Sequence, residues 1–182
     1  MEGSERVICV DLDGTLINTD LSVDAAKKFV RKNVLNIFRL VFWYLKGIQY
    51  LKYRVSEEVQ LDPSVLPYNF SFLSYITLKK SEGCKIYLAT GSTKKYAKQV
   101  ADHLQIFDGV FASDKEVNLI GKNKATKLVE VFQEGGFDYA GNSMDDIPVW
   151  MEANKKILVS STPKVREAMK SIPHTLFESS SK

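Results

Sequence analysis

At 182 residues, with 45% hydrophobic and 26% charged side chains and a formal net charge of +3, the chain is long enough for one well-buried domain. That composition excludes a disordered or fibrous protein, and so small a charge gives no ground for nucleic-acid binding while suiting an anionic substrate. Two cysteines with no Cys/His cluster exclude a disulfide framework and a zinc site, so Cys9 and Cys84 read as buried thiols of a reducing compartment.

Residues 7–10, Val-Ile-Cys-Val, predict a fully buried strand that runs into Asp11, Asp13 and Gly14. Were the strand to continue, Asp11 and Asp13 would share a face. Two acids that close repel unless a proton or cation intervenes, and a divalent metal resolves the conflict. Residues 16–68 read as helical. The densest part, residues 34–51, is apolar nearly all round, with a polar stripe at Lys32, Asn36, Arg39 and Lys46. Those polar residues argue against a transmembrane helix. A helix packed into a small lobe, a lid, a self-association face and a membrane-surface contact all remain open for it. Pro63 and Pro67 mark the return to the main domain.

A helix is predicted over residues 70–81 and a strand over 85–89, leading to Thr90-Gly91-Ser92-Thr93. Ser92 or Thr93 would cap a helix beginning at Lys94. Residues 109–113 form a third strand and 137–140 a fourth. Between them lies a helix that starts near Gly121 and carries Lys122, Lys124 and Lys127. The fourth strand ends at Gly141-Asn142-Ser143-Met144-Asp145-Asp146, and Pro148 suits the first turn of a short helix. Residues 156–160 and 175–177 are the last strands. Alternation with short connections implies an α/β fold: a three-layer α/β/α, Rossmann-like core around a parallel sheet. The core is expected over 1–19 and 69–178, a small helical cap over 20–68, and a tail over 179–182.

Three predicted strands thus end in polar clusters, at Asp11/Asp13, at Thr90, and at Asn142 to Asp146. In this order they resemble the haloacid dehalogenase (HAD) superfamily of phosphohydrolases. Residues 137–143 and Pro148-Val149-Trp150 look like the HAD domain fused ahead of UbiA-type prenyltransferases, and some phosphotyrosine phosphatase effectors of intracellular bacteria look similar. The resemblance implies Asp11 as nucleophile and Asp13 as general acid and base. It implies Mg2+ held by Asp11, the Asp13 carbonyl and Asp146. Thr90, Gly91, Lys124 and Asn142 would bind phosphate, with Lys124 preferred over Lys122 and Lys127 as the third-motif lysine. Asn142 stands where many relatives carry aspartate, which lowers metal affinity. Asp13 argues for phosphate over halide, since carbon–halogen cleavage needs no acid.

The resemblance implies a phosphorylated partner, either a phosphoprotein (phosphotyrosine above all) or a small phosphomonoester. The alternative is a HAD-fold binding or targeting module. The aromatics of the inserted lobe lie off any basic stripe, which argues against nucleic acid. Without a long apolar N-terminal segment the expected location is cytoplasmic, with membrane association or delivery into a host cell as the alternatives.

Overall fold

A computed structural model describes residues 6–178. The expected tail at 179–182 and the first five residues of the expected core lie outside them. Six parallel strands form one sheet: β1 (Val7–Val10), β2 (Lys85–Thr93), β3 (Gly109–Ser113), β4 (Asp138–Gly141), β5 (Lys156–Val159) and β6 (Thr175–Phe177). Their spatial order is β3-β2-β1-β4-β5-β6. The chain therefore builds outward from β1 on one side, then returns to pair β4 with β1 and builds the other way. That reversal opens a crevice at the carboxyl ends of β1 and β4, where ligands bind in open parallel sheets.

Strand alternation divides the core into two layers. Ile8, Val10, Ile86, Leu88, Ile157 and Val159 face one side, under α4 (Phe70–Ser81) and α5 (Lys94–Leu104). Cys9, Ala89, Tyr139 and Leu158 face the other, under α6 (Gly121–Phe132), α7 (Ile147–Glu152) and α8 (Pro163–Met169). The three-layer expectation holds.

Between β1 and α4 lie α1 (Leu21–Lys32), α2 (Asn36–Tyr44) and α3 (Ile48–Glu58). The two stems of this insertion run side by side. Asn18 N–H donates to the Pro67 carbonyl at 2.8 Å and Asn69 N–H to the Leu16 carbonyl at 2.9 Å. The dense apolar run at 34–51 is not one helix. Gly47, at φ 113° and ψ 149°, sits in backbone space that side-chain-bearing residues avoid, and it separates α2 from α3. Of α2, Trp43 is buried and stacks on Phe29 at 5.3 Å, while the face carrying Phe38, Val41 and Phe42 stays exposed.

Candidate active site

Strand β1 ends at Val10, and the chain turns at once: the N–H groups of Thr15, Leu16 and Ile17 all converge on the Leu12 carbonyl. The two aspartates are thus placed by a turn rather than by strand alternation. Gly14, at φ 76°, makes the turn possible, and a Cβ there would stand 2.1 Å from the Asn142 amide nitrogen. The loops after β1 and β4 therefore press together over the crevice. A cavity of about 400 Å³ opens there, and Asp11, Asp13, Gly91, Lys124, Asn142 and Asp146 line it together with Asp20, Asp145 and Lys52.

Asp11, 7% exposed, points its Oδ1 at the Lys124 ammonium, 2.8 Å away. Burial, with repulsion from Asp146 and Asp13, raises its pKa to about 7 although Lys124 pulls the other way. Asp13 is also raised, chiefly by burial, although its oxygens accept from Leu21 N–H at 2.7 Å and Ser92 Oγ at 2.6 Å. Lys124 enters from the first turn of α6. Burial would favour its neutral form, but Asp11 and Asp146 hold it charged and raise its pKa. Lys127 instead points outward to Glu130 and Lys122 is exposed, so of the three lysines it is Lys124 that lines the cavity.

Two expected roles do not match their surroundings. Thr90 is fully buried, accepts Ser92 N–H at 3.0 Å, and does not line the cavity; Gly91 is what β2 offers there. Asp146 is occupied on both oxygens. Oδ1 accepts from Tyr139 Oη at 2.6 Å and Lys124 at 3.2 Å. Oδ2 accepts from the N–H groups of Asn142 and Ser143, each at 3.0 Å, and from Ser143 Oγ at 3.1 Å. Burial opposes its charge, but Lys124, Tyr139 and these N–H groups lower its pKa. In this structure Asp146 holds Lys124 and the 141–143 turn.

Oxygens that could take a cation include the Asp11 Oδ2, the Asp13 carbonyl and the Asn142 carboxamide, whose Oδ1 takes only a long 3.4 Å bond from Thr15. Among the described residues no group of three or more His, Cys, Asp or Glu side chains is arranged to hold a metal. An all-oxygen set with one carboxylate still suits Mg2+, which keeps several waters and takes further oxygens from phosphate. The cavity walls carry five aspartates against two lysines. That excess of acid opposes an anionic phosphate, and a bound cation would offset it.

Three participants escape sequence reading. Tyr139 is buried in β4; its hydroxyl accepts from Lys124 at 2.7 Å and donates to Asp146. Ser92 donates to Asp13. Lys52 reaches from α3 to the Gly91 carbonyl at 3.1 Å. For Tyr139 the signal was present, two residues before Gly141 in the strand leading to the acidic loop; for Lys52 there was none.

No family model matches the sequence. The uncharacterized protein y4nM of Sinorhizobium fredii is 34% identical over 166 residues, which cover 89% of this chain and 32% of that protein. The chain thus spans about a third of the relative's length. A HAD family hydrolase of Salmonella enterica serovar Typhi superposes with a TM-score of 0.65 at 16% identity, over 88% of this chain and 64% of that one. A phospho-aspartyl intermediate analogue of phosphoserine phosphatase superposes with a TM-score of 0.64 at 18% identity, over 91% of each chain. At these identities the likeness is one of fold, the Rossmann-like α/β/α arrangement that this chain shares with those two structures.

Proposed function

We propose that the protein is a HAD-type phosphomonoester hydrolase that works through an aspartyl-phosphate on Asp11. The observation that carries this reading is the buried Asp11 carboxylate facing a cavity shared with Asp13, with one oxygen on Lys124 and the other left without a hydrogen bond among the described residues. An Asp11 oxygen attacks phosphorus as the ester oxygen departs with a proton from Asp13. Asp13 then takes a proton from water, whose oxygen attacks the same phosphorus and releases Asp11 and inorganic phosphate. A carboxyl whose pKa is raised suits an acid that must carry a proton to the leaving group. Lys124 neutralises charge on Asp11 and on the phosphoryl oxygens, with Asp146 and Tyr139 fixing its ammonium.

Asp11, the Asp13 carbonyl and Asn142 would hold Mg2+, which when bound offsets the repulsion between carboxylate and phosphate. Asn142 in place of a carboxylate weakens that hold. Lys52, brought by the insertion to the cavity wall, gives the substrate end a cation. A protein-borne phosphate, phosphotyrosine first, is preferred to a small metabolite because the insertion is small. The likeness of residues 137–143 to UbiA-fused HAD domains bears on ancestry, not on this chemistry.

Asn142 also favours a second reading, a HAD-fold binding module with little turnover. A panel of phosphotyrosine peptides, sugar phosphates and nucleotides, run with Mg2+ and with EDTA, separates the two. Magnesium-dependent phosphate release that EDTA abolishes is the expected result. No release from any ester would leave the binding module.

A further inference from the structure

We propose that α2 docks on the surface of an anionic lipid bilayer. The reading is independent of the hydrolase chemistry. Val34, Leu35, Phe38, Val41, Phe42 and Leu45 are between 55% and 79% exposed, on one short helix and the residues that flank it. They repeat at the three- and four-residue spacings that place side chains side by side on a helix surface, so the apolar area is continuous. A soluble monomer rarely leaves such a patch bare without a use for it.

Charge chooses the occupant. Residues 25–56 contain eight lysines and arginines and no aspartate or glutamate, in a chain whose net charge is only +3. Six of these cations, Lys27, Lys28, Arg31, Lys32, Arg39 and Lys46, are exposed, and two of them are paired with acids flanking the stretch, Lys27 with Asp24 and Arg39 with Glu58. The Lys46 ammonium stands 4.6 Å over the Phe42 ring, a cation set directly on the apolar patch. Exposed apolar side chains bordered by lysine and arginine are the makeup of a helix that lies in the plane of a membrane interface.

A second copy fits poorly, because a two-fold contact would press this basic surface against itself. A single-stranded nucleic acid would use rings for stacking, but five of the eight exposed apolar residues between 34 and 45 are aliphatic. No helix among the described residues is long and apolar enough to cross a membrane, so the contact is an in-plane one.

The test is sedimentation of the 182-residue chain with vesicles of phosphatidylcholine alone and of phosphatidylcholine mixed with phosphatidylglycerol. The chain should pellet with the anionic vesicles, remain in solution with the neutral ones, and be released as salt rises from ~0.1 to ~1 M. Phe38→Ser with Phe42→Ser should lower binding at least about tenfold, and Lys46→Gln about fivefold at low salt. All these side chains are exposed, so the variants should keep the parent's circular dichroism; the lipid and salt comparisons need no variant. Equal binding to both vesicle types, or to neither, would overturn the proposal. So would equal affinity for polyglutamate, or a dimer in sedimentation velocity that the double phenylalanine variant dissolves.

Discussion

The Lys124 ammonium lies 2.8 Å from Asp11 and 3.2 Å from Asp146, with its own side chain 5% exposed. Removing the cation would leave two buried carboxylates facing each other, which is far more costly than losing a surface pair. Lys124→Met should therefore lower unfolding stability by roughly 3–5 kcal/mol in urea melts, besides removing activity. A wild-type midpoint would contradict this placement. The identities of Asp11, Asp13, Lys124 and Asp146 were readable because each follows or opens a predicted element with its own local pattern. Which atoms they engage was not. The resemblance gives Asp146 a place at the metal, whereas its bonds to Lys124 and Tyr139 arise only where α6 and β4 meet. Thr90 likewise closes a polar cluster on paper yet turns its oxygen to its own backbone.

Among the elements, β1 was the clearest strand, a mostly β-branched run ending in acid that the sheet buries; β4, Asp-Tyr-Ala-Gly, has no β-branched residue and was marked by Gly135-Gly136 before it and Gly141 at its end. Thr162 followed by Pro163 is a helix-start signal, and α8 begins there with Thr162 accepting Val165 N–H. Asp108 shows how elements are tied. Its Oδ2 accepts from Ile86 N–H at 2.8 Å in β2 and from Lys80 at 2.5 Å in α4, just ahead of β3. Burial alone would raise its pKa, but these partners lower it. A depressed folded pKa stabilises above the unfolded value of about 4 and is lost as pH falls through the folded one. Asp108→Asn should cost about 1–2 kcal/mol at pH 7, with the gap to wild type closing below about pH 4. Thermal melts across that range would show it, and a gap that widens in acid would contradict it.

For the molecule as a whole, the decisive feature is the reversal of strand order at β1. It joins residues more than a hundred positions apart, Asp11 with Lys124 and Gly14 with Asn142, at one end of the sheet. The parallel α/β class followed from alternation of elements, but the spatial order of the strands, the break at Gly47 and the exposure of α2 depend on contacts between distant segments. The most direct measurement is phosphate release from an aryl phosphate with Mg2+ by wild type and Asp11→Asn, with mass spectrometry of acid-quenched protein for a phosphoryl group on residue 11. Wild type should turn over and carry that group, whereas Asp11→Asn should lose at least about a thousandfold in rate while melting like the parent. Undiminished turnover by Asp11→Asn, or a phosphoryl group trapped on another residue, would contradict the account.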